Sequence, residues 1–359
     1  MQPAADIVPP DLALPDDAYA ILRSRLEAIG CFQRQPGYYL RKTAITAAAL
    51  GGVVALAVLA DSTLIVLLSA IALGIMSTQF GLIAHDVAHK QVFRGRRAIA
   101  GASLILGNLL LGMSYTWWRE KHDRHHATPN HVTRDPDCDI SLLVLAPGQR
   151  SQRPRIVQAV VRWQFLYYWF LIPFQATGMR IHSTNRITKI RSPLAFLEAA
   201  GLLGHVALYG LVIAFIGPWW VALLFVVLHQ ATFGTYNSLV FAPNHKGMLS
   251  ITDDSRLGFL LEQIVTSRNV KGSPLTDFVY GGLNYQIEHH LFTNMPRNQL
   301  SKAQPVVEAF CAEHNIPYVE EGFFGATGSV FSFLGDVPHA PPIDQPAMPQ
   351  PSGPNRVAS

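Results

Sequence analysis

The residues most suited to chemistry in this 359-residue chain are its histidines, of which there are fourteen. Seven of them fall in three tight clusters: HDVAH at 85–89, HDRHH at 122–126 and QIEHH at 286–290. In a helix, residues three or four positions apart share one face, so the first two clusters can each turn several imidazoles towards one point. Imidazole binds iron, copper, nickel and zinc. The spacing therefore predicts a metal site without choosing the metal.

One more histidine, which follows an asparagine at 244, extends this set to eight imidazoles. The candidate metal ligands are His85, His89, His122, His125, His126, His245, His289 and His290. A zinc ion usually takes about four ligands, fewer than this set offers. The number of ligands favours a pair of ions, each with several nitrogen ligands and an open position for a small molecule.

The composition indicates that membrane helices position these histidines. Hydrophobic residues make up 49% of the chain and charged residues 14%. Soluble domains usually carry about 25% charged residues. The net charge of +4 is modest and does not indicate a nucleic-acid partner. The three cysteines are scattered, and their spacing fits neither a disulfide framework nor a zinc knuckle.

Four apolar stretches approach the roughly 20 residues that a helix needs to cross a bilayer. They run from about 43–59, 62–84, 194–216 and 219–241, and the short breaks between them make two hairpins. Both hairpin turns lack Lys and Arg, so the positive-inside rule puts the two termini and the long central loop in the cytoplasm. The predicted fold is an all-α integral membrane protein with four transmembrane helices in two hairpins and a cytoplasmic helical cap that holds the metal site.

This topology divides the chain into three parts: a cytoplasmic segment at 1–42, a membrane domain at 43–334 and a disordered proline-rich tail at 335–359. Two further apolar stretches, 99–113 and 160–174, are short or interrupted by polar residues. We expect both to be helices that lie in the membrane interface or dip into it.

The histidine clusters resemble the histidine boxes of the membrane fatty-acid desaturases. The likeness includes FAPNHKGM at 241–248, GGLNYQIEHHLF at 281–292 and MPR at 295–297, and it covers most of the chain. The QIEHH form, in which glutamine replaces the first histidine, is similar to the front-end and related acyl desaturase branch. The segment HHATPNHVTRDPDCDI at 125–140 also looks like that branch.

The resemblance implies that the eight histidines hold two iron ions and that O2 is a co-substrate, with no catalytic residue separate from the metal site. Asn244 would be a ligand through water, and Gln286 would occupy a ligand-like place. Asp86, Asp123 and Glu288 would orient the imidazoles by accepting their second ring N–H.

His229 lies inside the fourth apolar stretch, where a polar group is costly and often functional. We interpret it as a hydrogen-bonding partner of a metal ligand. The alternatives are a direct ligand and a partner for Tyr236, two turns along the same face.

The implied function is O2-dependent desaturation, which introduces a cis double bond into a fatty acyl chain carried by coenzyme A, a carrier protein or a membrane lipid. The chain lacks the His-Pro-Gly-Gly motif of a fused cytochrome b5-like domain, so we expect a separate electron donor, such as ferredoxin or cytochrome b5 with a reductase. The substrate would enter an apolar tunnel, for which Tyr115, Trp117, Trp118 and Phe233 are candidates for wall or core positions. The abundance of Ala and Arg suits a bacterial plasma membrane.

Two alternative functions remain open at this point. One is a hydroxylase or ketolase on the same scaffold that acts on acyl chains, sphingolipids or carotenoids, because the histidine boxes do not distinguish these reactions. The other is a membrane metal transporter or a zinc-dependent membrane receptor. Transporters place polar ligands near the middle of the membrane, whereas these clusters lie at helix ends and beyond.

Overall fold

The computed structural model describes residues 12, 14–255 and 257–343. The described part is built from helices, with one two-residue parallel strand pair, β1 (Asn269–Val270) and β2 (Glu320–Glu321). In chain order the helices are α1 (Ala18–Ala28), α2 (Pro36–Leu59), α3 (Thr63–Ala88), α4 (Arg96–Ser103), α5 (Tyr115–Ala127), α6 (Arg155–Val160), α7 (Gln164–Leu171), α8 (Gln175–Ile187), α9 (Pro193–Ala214), α10 (Trp219–His245), α11 (Phe259–Val265), α12 (Pro274–Tyr280), α13 (Gln286–Leu291), α14 (Arg297–Glu313) and α15 (Phe323–Asp336).

Four of these helices, α2, α3, α9 and α10, are long and apolar enough to cross a membrane. They coincide with the four predicted stretches, so the all-α membrane fold is confirmed. Three of them extend further than hydropathy suggested, and α2 does so at its start, which is Pro36 rather than residue 43. The α3 helix continues through His85 to Ala88, and α10 continues through Pro243 to His245. The extensions of α3 and α10 carry histidines beyond the apolar part of each helix.

The centre of the membrane part is the pair α3 and α10, which pack along each other. A Cβ on Gly74 of α3 would lie 2.7 Å from Cβ of Thr232 on α10, so the small residue allows the close approach. The α2 helix packs on α3. The α9 helix contacts residues 104–110 more extensively than it contacts α10, so the second hairpin is open rather than closely paired.

Both of the shorter apolar stretches form broken helices. The α4 helix continues as π-helical turns from Leu104 to Leu110, and it meets α5 at an angle of 107°. The bend passes through Gly112, whose φ of 68° suits glycine. Residues 155–174 form α6, α7 and short 3₁₀ turns. Neither stretch alone is among the four candidate spans, whereas the bent pair of residues 96–110 and α5 is apolar enough for a broken span or a re-entrant loop. The interfacial placement of both stretches stays a prediction.

A helical cap packs on the end of the membrane helices where the histidines lie. Its core joins α1 to α11, α13 and α14, with Leu22, Ile264, Ile287, Phe292 and Phe310 fully or almost fully buried. This core fixes α13, the helix that carries the QIEHH sequence.

The predicted disordered tail needs correction at its beginning. The α15 helix continues to Asp336, and a 3₁₀ turn follows at Val337–His339. Val337 is buried with Leu334 against Leu143 and Val161, and this apolar contact orders a segment whose prolines suggested disorder. Residues 344–359 lie outside the described part of the chain.

Candidate metal centre

The eight predicted histidines come together from four helices. His85 lies in the last turn of α3 and His89 is the residue that ends it. The α5 helix contributes His122, His125 and His126; α10 contributes its last residue, His245; and α13 contributes His289 and His290. The four-residue spacing within α3 and α5 puts side chains of each helix on one face, as the sequence predicted. The rings divide into two groups.

The first group contains five imidazoles whose ligand nitrogens all lie within 4.8 Å of one another: His85, His89, His122, His126 and His289. The Nε2 atom of His122 lies 2.9 Å from that of His89 and 3.0 Å from that of His126. The Nε2 atoms of His126 and His289 are 3.2 Å apart.

The second group contains His125, His245 and His290. The Nε2 atoms of His125 and His245 are 3.3 Å apart. The side-chain amide of Gln286 lies beside them, with its Nε2 at 2.9 Å from Nε2 of His245. Asn244 donates to Oε1 of Gln286 at 3.0 Å, so both predicted amide residues lie at this group.

The distances between these nitrogens fit shared metal ligation. Two imidazole nitrogens bound to one ion at about 2.1 Å are separated by roughly 3.0–3.4 Å at right-angled to tetrahedral geometry. Nε2 of His85 and Nε2 of His290 are buried without a hydrogen-bond partner among the described residues. Burial holds the pKa of His289 and of His290 well below the ordinary histidine value, so both rings offer neutral lone pairs. The residues present therefore fit a metal centre.

The two groups are adjacent. Neighbouring histidines on α5 and on α13 are divided between them, so His125 and His290 belong to one group and His126 and His289 to the other. The ring centroids of His126 and His290, one from each group, are 4.2 Å apart. This arrangement suits two ions held side by side.

Four acceptors orient the rings through their second nitrogen. His85 donates from Nδ1 to Asp86 at 3.3 Å, as predicted. His125 donates from Nδ1 to Asp135 at 3.1 Å, and His290 donates to Oε1 of Gln263 at 2.9 Å. His245 donates to the backbone carbonyl of Thr266 at 3.1 Å. Such bonds fix the tautomer and make the free nitrogen a better metal ligand.

Two carboxylates predicted for this role have other partners. Asp123 is on the exposed face of α5, where its side chain is 60% exposed and pairs with Arg119 at 3.3 Å. Glu288 is fully buried but accepts from Asn269 at 2.8 Å and from Tyr318 at 2.9 Å. Burial raises the pKa of Glu288 to about 7. Neither carboxylate accepts a ring N–H, because the side chain of Asp123 is turned to the exposed face of α5 and that of Glu288 is engaged by Asn269 and Tyr318.

His229 also lies away from the histidine groups, contrary to our interpretation. Its Nδ1 lies 2.8 Å from the hydroxyl of Tyr209 and its Nε2 lies 3.2 Å from Oγ of Ser77. Tyr236, the alternative partner, donates instead to the carbonyl of Val279 at 2.8 Å. His229 therefore satisfies its polar atoms within the membrane helices.

An apolar cavity begins at the first histidine group. His85 forms part of its wall, together with Tyr115 and Trp118 of α5 and Phe233 of α10. The other wall residues are mainly small or aliphatic and come from α3, from residues 103–114, from α8 and, with Asn237 and Phe241, from α10. Trp117, the fourth predicted tunnel residue, is not in the cavity wall and stacks on His182, with ring centroids 6.5 Å apart.

A separate open cleft reaches the histidines from the cap. Its walls include His89, His126 and His290, and Tyr19, Asp123 and Phe292 lie around them. This cleft shares no wall residue with the apolar cavity. The apolar cavity therefore reaches His85, and a cleft of mixed polar and apolar lining reaches His89, His126 and His290.

Comparison with known proteins gives one family. A family model described as fatty acid desaturase matches residues 61–322. The chain is 30% identical over 322 residues to the Delta(6)-fatty-acid desaturase fat-3 of Caenorhabditis elegans, which covers 86% of this chain and 72% of that protein. It is 32% identical over 319 residues to the acyl-lipid (9-3)-desaturase of Physcomitrium patens, covering 86% of this chain and 60% of that one. The Delta(8)-fatty-acid desaturase of Euglena gracilis is 30% identical over 325 residues, covering 87% and 77%.

Proposed function

The chain belongs to the fatty acid desaturase family, and from that premise we propose that it introduces a cis double bond into a fatty acyl chain with two histidine-bound irons, O2 and external electrons. The observation that carries this proposal is that the apolar cavity reaches the first histidine group at His85, and that the second group lies beside the first. A methylene group in the cavity would lie beside the metal centre. The metal transporter and receptor alternatives have no support from the family match.

Bound iron would supply the oxidising power: one O2, two external electrons and two protons, together with the two hydrogens lost from neighbouring methylene groups, would give the double bond and two water molecules. The protein's contribution is to hold and shape this site. His85, His89, His122, His126 and His289 would hold one ion, and His125, His245 and His290 the other. Asn244 and Gln286 lie where they would complete the second set, directly or through water.

The cavity supports an acyl substrate. Leu111, Met113 and Phe233 give its wall an apolar character that suits a hydrocarbon chain and excludes water from the reacting carbons. The compared relatives are named for desaturation of fatty acyl groups, which agrees with this substrate class. We propose that the acyl group arrives as a coenzyme A ester, on a carrier protein or in a membrane lipid.

The cleft on the cap side supports electron delivery from a separate protein. It brings the edges of His89, His126 and His290 close to the surface of the cap, where a reduced ferredoxin or a cytochrome b5 could approach them. We place the cap and both termini in the cytoplasm, on the positive-inside argument, and we propose a bacterial plasma membrane. The compared relatives are eukaryotic, so this location depends on composition alone.

The test is expression in a host with a simple saturated and monounsaturated lipid profile, together with each class of electron donor. Fatty acids would be analysed by gas chromatography–mass spectrometry after double-bond derivatisation. We expect a new unsaturated acid from the wild type and none from His125→Ala. His182→Ala, which changes an exposed histidine, is the matched control and should keep the product. A hydroxylated product would show that the reaction is hydroxylation rather than desaturation. If no new product formed with any donor, this result would contradict the assignment of an acyl chain as substrate.

A further inference from the structure

Glu198 is an acidic residue buried within an apolar membrane helix. It lies in the second turn of α9 and is 1% exposed. Ionisable groups in such positions are costly and usually functional. Its partners are the first residues of α5, the helix that carries three of the candidate metal ligands.

The carboxylate of Glu198 accepts three hydrogen bonds from this helix start. The backbone N–H of Thr116 donates to Oε1 at 2.9 Å, and the hydroxyl of Thr116 donates to Oε2 at 2.6 Å. The hydroxyl of Ser114 donates to Oε2 at 3.1 Å and itself accepts from the N–H of Trp117 at 3.2 Å. A helix start has unpaired N–H groups and the positive end of the helix dipole, so a carboxylate there makes strong, charge-assisted bonds.

Asn108 strengthens the same junction from the π-helical turns. It is fully buried, its Nδ2 donates to the carbonyl of Glu198 at 3.3 Å, and its Oδ1 accepts from the N–H of Tyr115 at 3.4 Å. A Cβ on Gly201 would lie 2.8 Å from Cβ of Asn108, so glycine lets α9 come close enough for these bonds. Three segments therefore meet at one polar junction: α9, the π-helical turns and the start of α5. The residues of α5 at this junction lie next to the cavity.

The junction fixes part of the cavity wall. Ser114, Tyr115 and Trp118 line the cavity beside His85. Trp118 also stacks on His122, with ring centroids 4.4 Å apart and planes at 23°. A small shift of the first turn of α5 would move Tyr115 and Trp118 relative to His85, and hence relative to a chain in the cavity.

We propose that Glu198 is a positioning residue that fixes the first turn of α5 and thereby sets how far an acyl chain passes the metal centre before reaction. This inference rests on the proposed function, because it assumes that an acyl chain occupies the cavity. Glu198 touches neither substrate nor metal. Its effect would appear as the position of the double bond rather than as the presence of activity.

The experiment compares Glu198→Ala, Glu198→Gln and Thr116→Val in the full-length protein. Glu120→Gln is the matched control, because Glu120 is on the exposed face of α5 and pairs with Arg186. Three quantities are measured: amide hydrogen exchange of residues 113–120, bound metal per chain, and the ratio of double-bond positions in the product. Thr116→Val removes one hydroxyl at unchanged shape and keeps the test usable if Glu198→Ala does not fold.

We expect Glu198→Ala to speed exchange at the start of α5 by about tenfold or more, as loss of a charge-assisted bond would. Bound metal should stay at the wild-type value. The share of minor double-bond positions should rise at least about fivefold, because displacement by a fraction of an ångström changes which methylene reacts. Glu198→Gln retains one acceptor oxygen, so its exchange rate and its share of minor double-bond positions should lie between those of the wild type and Glu198→Ala. We expect the same intermediate values for Thr116→Val.

Metal-loaded variants with faster exchange but an unchanged ratio of products would overturn the inference, since Glu198 would then only stabilise the fold. Unchanged exchange in Glu198→Ala would overturn it as well. A wild-type chain that forms no unsaturated product with any donor overturns the proposed function, and this inference with it. An unchanged ratio in variants of an active wild type overturns the inference alone.

Discussion

Asp86 and Arg297 form a buried ion pair between the end of α3 and the first residue of α14. The side chains are 1% and 2% exposed. The other oxygen of Asp86 accepts the N–H of His85, and Arg297 also donates to the carbonyl of Leu82 one turn earlier. The orientation of a candidate metal ligand in the membrane part thus depends on a cation from the cap.

We predict that Arg297→Ala destabilises the protein by about 3–5 kcal/mol, because it leaves the carboxylate of Asp86 buried without its cation. Arg297→Lys should recover only part of this loss, since an ammonium group lacks the planar fork that reaches both Asp86 and Leu82. Thermal unfolding in detergent and bound metal per chain are the measurements. The control is Arg25→Ala, which breaks the exposed pair with Glu313 and should cost at most about 1 kcal/mol. Equal unfolding temperatures for the two Ala variants would show that the buried ion pair between Asp86 and Arg297 does not stabilise the fold.

Substitution of Asp135 tests whether the groups that accept hydrogen bonds from the histidine rings affect metal affinity. Asp135→Asn keeps an acceptor for His125 Nδ1 but removes the negative charge, so we expect metal affinity to fall about 10–100-fold. Competition with a chelator would measure this loss, and the loss should be confined to one of two bound ions. Asp139→Asn is the control, because Asp139 is 78% exposed and pairs with Arg153. A similar loss in both variants would show a general charge effect instead.

Gly234 tests the packing of α10 against the turn at 172–174. A Cβ on Gly234 would lie 2.4 Å from the carbonyl oxygen of Pro173, which is a backbone atom and cannot rotate away. We expect Gly234→Ala to cost about 1–3 kcal/mol through overpacking, seen as a lower unfolding temperature. Gly51→Ala is the control in α2, where an added Cβ would meet none of the described atoms within 4 Å outside the adjacent helix backbone, and it should be neutral or slightly stabilising. An unchanged unfolding temperature for Gly234→Ala would mean that α10 can move away from the turn at 172–174 without cost.

Features set by local spacing could be predicted from the sequence. The four membrane helices follow from runs of apolar residues, and seven of the eight imidazoles follow from their clustering, whereas His245 was implied by the family resemblance. The partners of the rings could not be predicted in the same way. Asp86 orients a ring, but Asp123 faces outward and Glu288 bonds to Asn269.

The acceptors that the sequence did not reveal come from segments far along the chain. Gln263 and the carbonyl of Thr266 belong to α11 and its end, and nothing in their local pattern points to a histidine. Asp135 had a signal, since it lies in the segment at 125–140 that carries the family resemblance. Tertiary packing decides such contacts, and it also explains why His229 bonds to Tyr209 across the membrane helices.

The division of the rings into two groups gives a prediction about metal stoichiometry. His89 belongs to the group of five, and His245 belongs to the group of three. His245→Ala should reduce bound metal from about two ions to about one per chain, because a site with two remaining imidazoles lacks the ligands that such ions need. His89→Ala leaves four imidazoles, so its group should keep an ion, bound with lower affinity than in the wild type. Elemental analysis and chelator competition on purified protein measure both quantities, and His182→Ala should match the wild type. Loss of both ions in either variant, at unchanged unfolding temperature, would mean that the two groups form a single site whose ions bind only together.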